Sequence, residues 1–277
     1  MQHNSFNWSL IMLKQDLTGK RIIVTGASGG IGRCIVRDLT ASGALVGLTA
    51  RNRGPLEELS KEVAGNSGST LVAPADVSDR QAVAEAVAMI RQAWGGIDIA
   101  VISAGTYTRS PVLESDPSVH TDQWQTSYLG TLNLFLEVIP EMVERGWGRL
   151  ALVSSVDALK AMPRESAYAS GKAAEATLAS VLRQELHGTG VYISTVYPSR
   201  TDTPMTAGLH VPQISRKIPP EKISRALIRG IMKGKARLIT PAIGPGILVT
   251  SELLSPRLAD MFTRVFKLSG WTPSERE

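Results

Sequence analysis

The chain reads as a doubly wound α/β domain on a seven-stranded parallel sheet, and three observations carry that expectation. Apolar runs of strand length alternate with helix-length segments from Arg21 to about Thr240, a pattern that implies parallel pairing through right-handed crossovers. Runs such as Ile22-Ile23-Val24 and Ile97 to Ile102 are nearly continuous in apolar residues, as strands covered on both faces are. A glycine-rich stretch stands where the first strand hands over to the first helix.

In order, the expected strands are Arg21–Thr25, Ala44–Thr49, Thr70–Pro74, Ile97–Ser103, Gly148–Ser154, Val191–Tyr197 and Arg237–Thr240. Each is a short apolar run. The segments between them have helical length: Ile31–Ala41, Pro55–Val63, Arg80–Trp94, about Thr121–Glu144, Ala167–His187 and Pro220–Met232. After the last strand, Ser255-Pro256 has the form of an N-cap followed by proline at the first helical position. Leu254, Leu258, Met261, Phe262 and Val265 recur at helical spacing, with Arg257, Asp260, Arg264 and Lys267 on another face. An extra C-terminal amphipathic helix is therefore expected. No repeat or linker interrupts the chain. It divides into a tail over residues 1–16, one catalytic domain over 17–244 and a helical extension of that domain over 245–277.

With 277 residues, 43% of them hydrophobic and 20% charged, the chain has material for the core of one large domain. The net charge of +5 is mildly basic, but no dense Lys/Arg run points to nucleic acid. Cys34 is the single cysteine, which excludes an intrachain disulfide, suits a reducing compartment and reads as a small apolar residue of the first helix. No metal is expected. No apolar stretch approaches the ~20 residues of a spanning helix, so a cytoplasmic protein is expected.

Thr25 to Gly32 reads Thr-Gly-Ala-Ser-Gly-Gly-Ile-Gly. Placed between a strand and a helix, this is the phosphate-binding turn of a Rossmann-like domain. Gly26 permits the tight turn, Gly30 the approach of a pyrophosphate and Gly32 helix–strand contact; Ser28 and Ile31 belong to the same cradle. The helix N-terminus offers unpaired N–H groups to phosphate. Arg51 follows the second strand, 25 residues beyond Gly26, where this fold recognises the adenosine ribose. No acid stands there, and an arginine grips a 2′-phosphate bidentately, so NADP(H) is favoured over NAD(H). Asp76-Val77 after the third strand places a carboxylate near the adenine, or else Asp76 caps the helix that begins near Arg80.

Tyr168 and Lys172 stand four residues apart in Tyr-Ala-Ser-Gly-Lys, with Ser155 thirteen residues before the tyrosine. Positions i and i+4 share a helix face, which lays an ammonium beside a phenol. A cation there favours the phenolate, and bringing a phenol from ~10 to about 7 takes about 4 kcal/mol. Lys172 and an oxidised nicotinamide are together suited to supply it.

These residues resemble the short-chain dehydrogenase/reductase family from about Leu17 to Met205. Gly26, Gly30, Gly32, Asp76, Ala104-Gly105, Ser155, Pro163, Tyr168, Lys172 and the stretch from Pro198 to Met205 follow the family's order. The resemblance implies that Tyr168 is the general acid of carbonyl reduction and the base of alcohol oxidation. It implies that Ser155 holds the substrate oxygen, and that Lys172 tunes Tyr168 and binds the nicotinamide ribose. Ser103, Ala104, Gly105, Pro198 and Thr203 would line the cofactor, Thr203 at the carboxamide. A homodimer or homotetramer through the fourth and fifth helices is also implied.

Four departures from the family pattern stand out. Asn-Asn-Ala-Gly reads Ile102-Ser103-Ala104-Gly105, Pro-Gly reads Pro198-Ser199, and the serine before the lysine is Gly171. The helix asparagine of the family's catalytic tetrad, which supports a water linked to the lysine, aligns with Ser127. Retained but slower catalysis is expected. The mixed loop from Met205 to Pro219 reads either as a lid over a partly apolar substrate or as a surface loop. The C-terminal helix reads either as a packed element or as an interfacial helix on a membrane. The expected function is NADPH-dependent reduction of a ketone or aldehyde; the alternatives are an NADP(H)-binding sensor with little turnover and a membrane-associated scaffold.

Overall fold

The alternation of the sequence closes into seven parallel strands in a computed structural model that describes residues 17–275; the expected tail over residues 1–16 lies outside them. The strands are β1 (Arg21–Thr25), β2 (Leu45–Thr49), β3 (Ser69–Val72), β4 (Ile99–Ile102), β5 (Gly148–Val153), β6 (Val191–Pro198) and β7 (Arg237–Thr240), in the order β3-β2-β1-β4-β5-β6-β7. Ile22 pairs with Val46 on one side and with Ile99 on the other. The helices are α1 (Gly30–Ala41), α2 (Arg53–Glu62), α3 (Arg80–Trp94), α4 (Pro117–Trp124), α5 (Gly130–Glu144), α6 (Ser166–Glu185), α7 (Pro220–Lys233), α8 (Ile243–Leu254) and α9 (Pro256–Val265).

Successive strand residues point to opposite faces, and both faces are covered. Ile22, Val24, Val46 and Leu48 pack with Ile35, Leu39, Leu56 and Leu227 of α1, α2 and α7. Ile23, Ala100, Ile102 and Leu150 pack with Val87, Ile90, Leu134 and Phe135 of α3 and α5. This two-sided core is why the strands carry so few polar residues. It also fixes the functional edge: the chain order reverses between β1 and β4, and in such sheets the crevice beyond those strand ends receives the ligand.

Two expectations change in the structure. The helix expected over about Thr121–Glu144 begins earlier, because Asp116 accepts from the Ser118 N–H and Pro117 opens the turn; it then passes through a π-helical segment, Gln125–Leu129, into α5. The C-terminal extension holds two helices, not one. Ser255 caps α9 as expected, accepting from the Leu258 N–H, but α8 precedes it. In α9 the buried side is Ala259 and Thr263, so most of the expected apolar stripe faces outward: Leu254 is 79%, Met261 44% and Val265 65% exposed.

Candidate active site

A cleft of about 270 Å³ lies over the C-terminal ends of β1 to β6. Gly26, Ser28, Gly30, Ile31, Gly32, Arg51, Asp76, Val77, Ser103, Ala104, Gly105, Pro198 and Thr203 line it, as do Ser155, Tyr168 and Lys172. Of the expected site residues, only Ser127 is not in its wall.

The glycine turn is built for close approach. Gly26 sits at φ +64°, and a Cβ there would lie 2.6 Å from the backbone of Ser103 and Ala104. A Cβ on Gly30 would lie 2.6 Å from the Thr203 side chain, so the bare glycine first of all lets the loop after β6 close on the turn. Gly29 precedes α1 as an N-cap without a side chain, which leaves the first N–H groups for an anion. Arg51 is exposed at the cleft edge and makes no ion pair among the described residues. Uncapped amides, a glycine cradle and a free guanidinium on one edge fit a phosphorylated dinucleotide. Asp76 does not cap α3: its Oδ1 accepts from the Ser78 N–H and hydroxyl, and Asp79 takes the capping role toward Gln81 and Ala82. The Asp76 side chain is thereby held in its own turn at the cleft wall.

On the opposite wall, the end of β5 and the first turns of α6 bring the polar triad together. Tyr168 shares the cleft wall with Ser155 and meets Tyr107 edge to face, ring centroids 5.1 Å apart. The Ser155 hydroxyl donates to Asp157 Oδ2 at 2.9 Å while accepting from the Asp157 N–H at 3.1 Å. Lys172 Nζ donates to the Val153 carbonyl at 3.1 Å and lies 3.0 Å from Glu175 Oε1, one turn further along α6. Expected tuning of the phenol by Lys172 is not met by the side chains alone. Burial pushes the Tyr168 phenol up, Asp157 adds to that, and Ser155 opposes it. The chief physical reason is the burial of the phenol, to which the Asp157 carboxylate adds.

Ser127 is fully buried in the π-helical segment and accepts from Gln123 Nε2 at 2.9 Å. Gln123 Oε1 in turn accepts from Thr106, a cleft residue, at 2.8 Å. A Cβ on Gly171 would stand 3.0 Å from Gln123 Cγ. Two of the sequence departures thus share one cause: the small residues Ser127 and Gly171 make room for the Gln123 side chain.

The sequence reading missed a buried ionic cluster at the substrate end. Glu165, fully buried, pairs with Arg109 and Arg200 at 2.9 Å each and accepts from the Tyr107 hydroxyl at 2.8 Å. Arg200 lies 3.8 Å from Asp157, and Arg109 also binds Glu275 near the C-terminal end at 3.0 Å. These residues come from separate loops without periodicity. The one available signal was Asp157 itself, two positions after Ser155.

The chain matches the short chain dehydrogenase family model over residues 20–213. It is 31% identical to an uncharacterized oxidoreductase of Staphylococcus aureus (strain MRSA252) over 79% of this chain and 94% of that protein. It is 29% identical to a fatty acyl-CoA reductase of Acinetobacter baylyi over 85% of this chain and 84% of that protein. Its fold is similar to that of a 3-oxoacyl-[acyl-carrier protein] reductase from Brucella melitensis, with a TM-score of 0.75, 23% identity and coverage of 86% and 96% of the two chains.

Proposed function

The chain belongs to the short-chain dehydrogenase family and is an NAD(P)-dependent oxidoreductase, and from that premise we propose that it reduces a ketone or aldehyde with NADPH, Tyr168 giving the proton. The observation that carries this reading is the convergence of Ser155, Tyr168 and Lys172 on one wall of the cleft whose far edge bears the unpaired Arg51. The bound reduced nicotinamide supplies the hydride. Arg51 would hold the 2′-phosphate, and the uncapped start of α1 would hold the pyrophosphate.

Substrate enters beside Tyr107, Tyr168 and Met205. The Ser155 hydroxyl turns from Asp157 to the carbonyl oxygen and stabilises charge that develops there. Tyr168 gives its proton to the same oxygen, or takes it back in alcohol oxidation. Lys172, one turn along α6 from Tyr168 and paired with Glu175, would orient the nicotinamide ribose. A panel of short ketones, steroids and fatty acyl carbonyls tests the reading through NADPH oxidation. Turnover on one class supports it; NADPH binding with no turnover on any carbonyl makes the protein a nucleotide sensor instead.

A second element of the reading concerns surfaces. Exposed Leu254, Met261 and Val265 stand beside the exposed cations Arg257, Arg264 and Lys267, the composition of a helix that rests on an anionic bilayer. This favours peripheral membrane contact and a lipophilic substrate, as does the likeness to a fatty acyl-CoA reductase. Exposed Leu136 and Val143 on α5 and Val181 on α6 favour a homodimer or homotetramer through those helices. Among the described residues no helix is long and apolar enough to cross a membrane.

A further inference from the structure

One buried ionisable group has no part in the chemistry above. Glu175 has no exposed surface, yet it carries a carboxylate one turn beyond Lys172 on α6. Its Oε1 lies 3.0 Å from Lys172 Nζ. Thr131 of α5 turns its hydroxyl toward it, while the nearby Ser154 hydroxyl, at the end of β5, donates to the Lys172 carbonyl at 3.1 Å. Three titratable side chains sense its charge: Lys172, the Tyr168 phenol one helical turn beyond Lys172, and Tyr197 of β6.

A buried pair of this kind is a poor source of stability, because desolvating two charges offsets most of their attraction. This carboxylate is also short of partners: neither oxygen, nor the Thr131 hydroxyl, completes a well-formed hydrogen bond among the described residues. A hydrophobic residue would serve packing equally well. What the carboxylate does is pin Lys172 against the Val153 carbonyl and cancel its charge at the phenol.

We propose that Glu175 is a positioning residue of the active site, acting through Lys172 to set the pH at which Tyr168 exchanges its proton. The inference rests on Tyr168 being the acid of the reaction. When Glu175 is ionised, the ammonium is neutralised and the phenol keeps its proton. When Glu175 is protonated, the Lys172 charge stands unopposed and the phenolate is favoured. Burial pushes the Glu175 carboxyl up to about 7, against the pull of Lys172, so the switch falls in the working range of an enzyme at neutral pH. Its sign is definite. A carboxyl raised above its ordinary value of 4.5 stabilises the fold at low pH, and that contribution is lost as pH rises through about 7.

The test compares wild type, Glu175→Gln, Thr131→Val and Tyr168→Phe in the full chain. For Glu175→Gln the basic limb of alcohol oxidation moves to lower pH by about one unit, as loss of one nearby charge requires, while the KM for NADPH changes less than about threefold. Thr131→Val, which makes the surroundings of the buried carboxyl less polar and so disfavours its ionised form, shifts the same limb in the same direction by less. Without cofactor, the melting temperature of Glu175→Gln relative to that of wild type rises from pH 5 to 7.5, a margin that shifts in the variant's favour as the wild-type carboxyl ionises. A pH profile unmoved in both variants, or a margin independent of pH, overturns the inference. If Tyr168→Phe keeps its turnover, the reading of Tyr168 fails instead, and the melting margin still reports on Glu175.

Discussion

The Ser155 hydroxyl lies 2.9 Å from the Asp157 carboxylate two residues along the chain, where it must release one partner to engage another. A hydrogen bond to a charged acceptor contributes about 1.5–3 kcal/mol, so Asp157 competes directly with a substrate oxygen for Ser155. Replacing it by asparagine weakens that competition. The Asp157→Asn enzyme is predicted to show a KM for its carbonyl substrate about two- to fivefold lower, read from initial rates at saturating NADPH.

On the proposed reading, Arg51 sets a preference for the phosphorylated cofactor. It stands exposed at the cleft edge without an ion pair among the described residues, so its loss costs the fold little. Arg51→Ala is predicted to raise the KM for NADPH about 10- to 100-fold, the scale of a lost bidentate phosphate contact, and to leave that for NADH nearly unchanged. Equal effects on both cofactors would assign the residue no role in choosing between them.

Glu165 organises the substrate end. Its carboxylate answers both Arg109 and Arg200 from full burial, and removing it takes from two buried cations the carboxylate they share, leaving only Glu275 and Asp157 beside them. Such losses cost about 3–5 kcal/mol. Glu165→Ala is predicted to lower the midpoint of urea unfolding accordingly, whereas an Arg53→Ala change at an exposed pair with Glu57 should shift it hardly at all.

Cys34 is held as an inert packing group. Burial, reinforced by Glu221, pushes its thiol up to about 11, so it stays protonated well past neutrality. Its reaction with a disulfide reagent at pH 8 is predicted to be far slower than that of free cysteine and to accelerate to the free rate only on unfolding.

Vesicle co-sedimentation decides the role of the C-terminal pair of helices. The full chain should bind phosphatidylserine-containing vesicles, and a Leu254→Asp/Val265→Asp variant, changed only at exposed positions, should fold normally but fail to bind. Absence of binding by the unmodified chain removes the membrane contact from the account.

Much of this site was legible in the amino-acid order because its residues are local. Gly26, Gly30 and Gly32 share one turn, and Tyr168 and Lys172 share one helix face, so spacing alone places them. The Glu165, Arg109 and Arg200 cluster was not legible, since its members are joined only by the folded sheet. The first turn of α8 reads Ile-Gly-Pro-Gly, which hides a helix behind turn residues; tertiary packing of Leu248 against Met162 and Ala259 overrides that local preference. Asp76 and Asp79 are equally plausible caps by type, and only geometry separates them. Gln123 carried no signal until Gly171 and Ser127 were seen to surround it.

The central claim is that the Tyr168 phenol carries the proton to the substrate oxygen. Its most direct measurement is NADPH-dependent carbonyl reduction by Tyr168→Phe beside wild type, with NADPH affinity followed separately by fluorescence. The account predicts a loss in kcat of about 10²–10⁴-fold with cofactor affinity changed by less than a factor of about three. Turnover by the phenylalanine enzyme at a rate near that of wild type would contradict it.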